Sequence, residues 1–580
     1  MKAFETKIDS LFNNNKVNQF VREGLKESTQ IVSPEGALKY STSGNAFVDD
    51  FASISHYKEP RSYKEVANTM DRLYRINPKD AVKMILYIRL ITRKSQIMTD
   101  SNKVEVVSEV QKGQGLRHEA IMRMIWLSIN HYKVFEKNLN LFIAAGSWKD
   151  IITMMNIDLQ YNGWKNRKLN WTFMVNVIKA GLLNPNTTNL VRKYLPTIKT
   201  NTKCTTLESQ ADTIIGRYLA NKFSPNVEKA KAYKAYRLIK SNGTAHEWQQ
   251  KISQELYEEI NFDTIAGRAL ALLVGSEFLK NHNLVSKYRE WIMSKPIAKF
   301  TGYVHELFKP LGSGYFLNHI EDYLELTINA QFKQLVETGK SGNTNSKLLV
   351  VRDTSSSMTS KAIGCNVSSY DIGKAMALYF SEFLEGPFAN SFAEFADECV
   401  LKQWVGNTPC DKYINDRSEA YGGTYFMSVI DLFISLRKKG VPESDFPTGI
   451  LCISDGCFSN YDKSCNSTNF NNAKTLLLEN GFSKEYVENF KIILWDIPND
   501  FYGKSEVMFE DYADASNFFY LSGYDTSVVS FVLGGNKPER KAPKNAAELM
   551  KAALDQELLN KVEIPKSRIS KNRKVSKHRK

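Results

Sequence analysis

The 580-residue chain lacks most features that mark specialised protein classes. Its longest apolar runs, such as Ala269-Leu-Ala-Leu-Leu-Val274, fall far short of the roughly 18 residues of a membrane span, and its first residues lack the apolar core of a secretory signal. Seven cysteines form no CxxC pair, which excludes a zinc ribbon and gives no sign of a disulfide framework. There is no GxxxxGK[ST] phosphate loop and no HExxH, and none of the eight His lies between residues 347 and 535, where Cys365, Cys399, Cys410, Cys452, Cys457 and Cys465 gather. These absences predict a soluble, unsecreted, cytoplasmic protein with reduced thiols and no membrane partner. They also point away from an enzyme, since the His-free segment has no obvious general base. Only 16 Pro and 31 Gly accompany 42% hydrophobic and 12% aromatic residues, so the chain is neither collagenous nor disordered, and its length asks for several domains.

Positive charge is not scarce, but it is unevenly spread. The formal net charge of +14 divides into +15 over residues 1–346 (48 Lys and Arg, 33 Asp and Glu), −10 over 347–535 (15 and 25) and +9 over 536–580 (14 and 5). An acidic segment between two basic ones predicts a polyanionic partner for the first part and a different task for the middle.

Residues 1–346 read as helix after helix. Ser62-Tyr-Lys-Glu65 has the form of a capping box, followed by Val66, Met70, Leu73 and Tyr74 at helical spacing. Similar stretches cover Asp80–Arg93, Arg117–Tyr132, Lys137–Ala145, Trp148–Ile157, Met174–Leu183, Glu208–Phe223, Val227–Lys240, His246–Ile260, Thr264–Leu279, Val285–Met293 and His319–Thr338. A dozen short helices without strand-like alternation predict an all-α, HEAT-like stack of helix pairs. Lys112, Arg117, Lys149, Lys165, Arg167, Lys168, Arg192 and Lys193 fall at turns or helix ends near Trp148, Trp164 and Tyr194, and His118 adjoins Arg117. Cations that neutralise phosphates beside rings that stack on bases make these the candidate RNA contacts.

Residues 347–535 change pattern. Strands at Lys347–Val351, Ser391–Cys399, Thr448–Ser454, Phe490–Trp495 and Asn517–Ser522 alternate with helices at Tyr425–Lys438, Ala473–Asn480 and around Thr526–Leu533, and Ile372 to Leu384 mark a further amphipathic one. That order predicts a doubly wound α/β domain with its site at the carboxyl ends of the strands. Asp353, Ser355 and Ser357 form a DxSxS run after the first strand, Thr424 follows Gly422-Gly423, and Asp455 ends a later strand. Five hard oxygen donors on loops suit Mg²⁺ or another divalent cation, and two carboxylates leave the ion able to take an acidic group from a partner.

On these residues the segment resembles a von Willebrand factor A domain, with Asp353, Ser355, Ser357, Thr424 and Asp455 matching its metal-ion-dependent adhesion site (MIDAS). The helical half is similar to the TROVE module of the Ro ribonucleoprotein family at Gly36-Ala-Leu-Lys-Tyr40, Ser43-Gly-Asn45, Gly146-Ser-Trp-Lys-Asp150, Tyr236-Arg-Leu-Ile239 and Phe262-Asp-Thr-Ile-Ala-Gly-Arg268. The resemblance implies a monomeric ring of helical repeats closed by the A domain. Small structured RNAs would bind its basic outer surface, and single-stranded ends of misfolded RNAs its hole. The chain departs from that pattern by running on past the A domain. There, residues 541–561 predict one helix, and Lys566 to Lys580 hold eight Lys or Arg and no acid, which suits nonspecific phosphate contact. A second reading, a metal-dependent protein-interaction adaptor or phage structural component with no RNA role, predicts protein that purifies free of RNA.

Overall fold

The structure is a computed structural model that describes residues 24, 26–56, 61–91, 96–98, 104–108, 110–199, 205–242, 247–295, 297–312, 320–339, 347–384, 386–460, 467–501, 507–526, 532 and 542–565. The basic run from Lys566 onward, Cys204, Cys465 and most of the helix expected around Thr526–Leu533 fall outside these residues. Among the described residues no helix is long and apolar enough to cross a membrane, and no cysteine forms a disulfide.

The helical half opens with a short antiparallel ribbon, β1 (Gln30–Val32) and β2 (Leu38–Tyr40), and carries a second, β3 (Gln96–Met98) and β4 (Val104–Val106). The all-α expectation is corrected here: three-residue strands are too short to show an alternating pattern. Between and after them run helices Tyr63–Ile76, Pro78–Arg89, Arg117–Asn130, Tyr132–Ala145, Trp148–Asn162, Trp171–Leu183, Leu207–Phe223 and Lys229–Ser241, most packed on a neighbour in sequence. The first starts where its cap predicts: Ser62 Oγ accepts from Glu65 N at 3.3 Å, and Glu65 Oε2 accepts from Ser62 N at 2.8 Å. Two expected helices are shorter or divided. His246–Ile260 becomes Glu247–Ser253 and a single turn Tyr257–Glu259, because Glu255 takes a left-handed φ of 58°. Thr264–Leu279 becomes Gly267–Val274 and Phe278–Asn281.

Gly146-Ser-Trp-Lys-Asp150 is a junction with a clear physical basis. Asp150 is buried at the start of Trp148–Asn162, where its Oδ2 accepts from Ser147 N at 3.0 Å and Arg89 Nε at 2.7 Å, while Oδ1 accepts from Arg117 Nε at 2.8 Å. A Cβ at position 146 would lie 2.1 Å from Asp150 Oδ2, so only glycine fits beside this ion cluster.

The acidic segment folds as a six-stranded sheet of β5 (Leu348–Asp353), β6 (Ser391–Phe395), β7 (Cys399–Gln403), β8 (Gly449–Ser454), β9 (Lys491–Asp496) and β10 (Phe518–Ser522), in the order β10-β9-β8-β5-β6-β7. All neighbours are parallel except β6 and β7. The single strand expected over Ser391–Cys399 is therefore corrected to an antiparallel pair that turns at Ala396–Glu398. Alternation sorts the buried strands between two layers: Leu348, Val350, Leu451 and Ile453 join the core that includes helix Ser369–Ser381, whereas Leu349, Val351, Ile450 and Cys452 join the core beneath Met427–Lys438 and Asn469–Glu479. Strand order reverses between β5 and β8, and Asp353 and Asp455 stand at that reversal.

Both ends of the helical series rest on this α/β unit. Helix Ala46–Ser53 packs on β10, with Ser522 Oγ donating to Ala52 O at 2.6 Å, while Val304–Phe308 and Asp322–Gly339 pack against Ser369–Ser381 and Pro409–Asn415 respectively. The expected helix over 541–561 is two, Ala546–Leu554 and Glu557–Asn560, broken at Asp555-Gln556. The break frees Gln556 for the backbone of Lys112: its Oε1 accepts from Lys112 N at 2.7 Å and its Nε2 donates to Lys112 O at 2.8 Å. Asn138 repeats this arrangement on Glu563, accepting from its N at 2.9 Å and donating to its O at 2.7 Å.

Candidate functional site

Asp353 leaves β5 and Asp455 follows β8, so adjacent parallel strands deliver two carboxylates to one crevice. Both are buried, at 0% and 4% exposure. Asp353 Oδ2 accepts from Ser454 Oγ at 2.5 Å and its Oδ1 from Ser355 N at 2.8 Å; Asp455 accepts from Cys457 N at 3.2 Å and Asn499 Nδ2 at 2.9 Å. Burial, then the charge of Asp455, pushes the Asp353 carboxyl well above the usual range, and burial raises Asp455 too.

The hydroxyls complete the set. Ser355 Oγ and Ser357 Oγ are 3.1 Å apart, and the Ser357 side chain also bonds the Asp455 carboxyl. Thr424 arrives on a separate loop that turns at Gly422, whose φ is 70° and where a Cβ would lie 2.3 Å from Asp397 Oδ2. The Thr424 hydroxyl is fully buried and has no hydrogen-bond partner. An orphaned buried hydroxyl beside two carboxyls that resist sharing negative charge is the arrangement a bound cation would relieve, so these residues fit a divalent ion. Among the described residues no group of three or more His, Cys, Asp and Glu could hold a metal, so a cation here depends on hydroxyls and water as well as on the two aspartates.

All five expected metal-site residues thus gather at one end of the sheet. Asn499 and Ser454 were not anticipated, nor was Glu35, whose Oε2 accepts from Thr424 N at 3.2 Å and Ser459 Oγ at 2.5 Å. Ser454 was accessible as the residue before Asp455 at a strand end, but nothing in the local pattern marks Asn499 or Glu35.

The candidate RNA contacts divide. Lys112 is corrected: it is 1% exposed beneath the C-terminal segment, and burial lowers its ammonium to about 8, against the opposing pull of Asp525. Arg117 is half-buried and committed to Asp150 and to Thr153 Oγ1 at 3.0 Å, so it belongs to the junction. His118 is half-buried, and its Nδ1 is buried without a hydrogen-bond partner. Arg192 and Lys193 are half-buried, the latter 5.7 Å from the Tyr194 ring, while Lys149, Lys165 and Lys168 are exposed.

Lys165, Arg167 and Lys168 lie on one built surface. Buried Asp158 organises the loop after Trp148–Asn162, accepting from Lys168 N at 2.9 Å, Leu169 N at 3.2 Å and Trp171 Nε1 at 2.8 Å. Gly163, at φ 68°, ends the helix and turns Trp164 outward to 43% exposure. The Arg167 guanidinium stacks 3.8 Å from the Trp164 ring and 4.9 Å from Trp171, and Tyr218 packs edge-on to both rings with Lys222 5.6 Å from its own. Tyr161, 65% exposed, lies beside it in sequence. Tyr218 and Lys222 were missed because they come from another helix, Leu207–Phe223.

A crystal structure of the Deinococcus radiodurans RO (RSR) protein is similar to this chain at 11% sequence identity and a TM-score of 0.38, covering 88% of this chain and 98% of that one. No family model matches the sequence, and no curated protein does.

Proposed function

We propose that the chain is a non-catalytic RNA-binding protein of the Ro type, taking small structured or misfolded RNA on its basic helical half and holding Mg²⁺ in its α/β unit to dock an acidic partner group. The observation that carries the RNA reading is the platform of Trp164, Arg167, Trp171 and Tyr218, with exposed Lys165, Lys168 and Lys222 around it. Base stacking on an exposed indole, strengthened by a guanidinium, is tolerant of sequence, and the surrounding lysines neutralise phosphates. The net +15 of residues 1–346 extends that attraction beyond the platform. For the metal, the orphaned Thr424 hydroxyl and the paired aspartates support the reading; bound there, the ion supplies a Lewis-acidic position for a carboxylate.

Fluorescence anisotropy with a labelled single-stranded RNA tests the first part. Affinity is expected to drop by at least about tenfold between 50 and 200 mM salt, as release of several counterions demands. Protein that purifies free of nucleic acid and fails to bind this RNA at low salt would instead support the adaptor reading. Trp164→Ala is expected to weaken binding by about 1–3 kcal/mol while leaving the salt slope unchanged, because it removes a stack and no charge. Loss of slope in that variant would show the ring to be structural.

A further inference from the structure

The turn between β1 and β2 lies across the loop that follows Asp455. Ser33 Oγ donates to Phe458 O at 2.9 Å, Gly36 bridges Ser459, and Asn460 N donates to Glu35 O at 3.4 Å. Lys39 is fully buried beneath, donating to Gly456 O at 3.1 Å and paired with Glu510 at 2.6 Å. Ala37 and Tyr40 are buried in the same core as Phe426 and Phe458. These contacts span more than 400 residues of sequence and have one shared result: the half-buried Glu35 carboxylate is seated on the backbone N–H of Thr424, the residue whose hydroxyl is buried and unpartnered. A carboxylate held on that amide stands at the open side of the donor set, where a cation with two aspartates still has charge to satisfy.

We infer that Glu35 is the metal site's own acidic group, an internal carboxylate that occupies the position an acidic partner would take, so that docking and release of the N-terminal hairpin are one event. This rests on the metal reading above. It changes what the site does: the face is closed by the chain itself until a competing carboxylate displaces the turn, and metal binding fastens the first described strands to the α/β unit.

The full-length chain carrying Glu35→Gln, titrated with Mn²⁺ and followed by electron paramagnetic resonance of the free ion, tests it. Gln can still accept from Thr424 N and Ser459 Oγ, so the fold is kept, which a thermal melt verifies. The expected result is Mn²⁺ affinity lower by roughly tenfold, as for other outer-ligand losses. Amide exchange over residues 30–40 should slow on adding Mn²⁺ in the parent and show no such response in the variant. Acetate should raise Mn²⁺ affinity in the variant more than in the parent, because it fills the vacated position. Parent-like affinity together with hairpin exchange indifferent to Mn²⁺ would overturn the proposal. Asp353→Asn separates the two readings. If it abolishes Mn²⁺ binding while Glu35→Gln does not alter it, only the role of Glu35 fails; if the parent binds no Mn²⁺, both fail.

Discussion

A chain ended at Lys544 is expected to accumulate as aggregate, or to melt at least about 10 °C below the full chain. The segment removed is no appendage: Leu549, Met550, Leu554, Leu558, Leu559 and Val562 are each at most 4% exposed, in the core shared by the helical half and helix Ser369–Ser381. At about 1.5–3 kcal/mol for each such side chain, their gross burial is comparable with the whole net stability of about 5–15 kcal/mol of a typical domain. Much of that is offset by the entropy of ordering the segment, but the surface it covers is then left facing water. The amide clamps add a sharper test. Gln556→Ala leaves the buried N–H and C=O of Lys112 without these bonds, a cost of about 1–3 kcal/mol, whereas the exposed Lys551→Ala should be near neutral. Equal melting temperatures for both variants would mean that water replaces the clamp.

The same segment shows where sequence reading succeeds and where it stops. Periodicity marked Leu549, Leu554 and Leu558 as one apolar face, and that is correct in kind, but it ran the helix through Asp555-Gln556 because a side chain's call on a distant backbone leaves no periodic trace. Asp353, Ser355, Ser357, Thr424 and Asp455 were legible because each follows a strand or a Gly-Gly turn, where local geometry and donor chemistry coincide. Glu35 and Asn499 were not, since their places depend on packing between segments hundreds of residues apart. Lys112 misled for a related reason: a lysine at a turn is ordinarily exposed, and nothing nearby in sequence announces that residues 546–562 will cover it. Charge, by contrast, was read correctly in bulk and poorly residue by residue, since Arg117 answers to Asp150 while Arg167 answers to two indole rings.

Without metal, stability is expected to fall as pH rises from about 4 towards neutrality, and Mg²⁺ should reverse that loss. Asp353 and Asp455 are buried side by side with folded-state pKa values above the model value of 3.8. Over the interval between the unfolded and folded values, the native state therefore holds protons that the unfolded chain has released. More protons bound in the native state means that unfolding becomes easier as pH rises, and the penalty is complete once both carboxyls are forced to ionise. A shift of two to three units corresponds to roughly 3–4 kcal/mol, an upper figure because the two sites share their titration. A divalent ion binds the ionised pair and not the unfolded chain, so it stabilises by mass action, and its apparent affinity should weaken as pH falls and protons compete for the same oxygens. Asp353→Asn separates the causes. It keeps a side chain that can accept from Ser355 N but removes the charge beside Asp455. In EDTA at pH 7.5 this variant is expected to melt above the metal-free parent, with a flatter pH profile, and to lose at least about a hundredfold in Mg²⁺ affinity as a direct ligand charge disappears. Thermal melts from pH 4 to 8, with EDTA and with Mg²⁺, decide the matter: a metal-free parent whose melting temperature climbs steadily towards neutrality would show that the aspartates ionise unaided and that the crevice was not built around a cation.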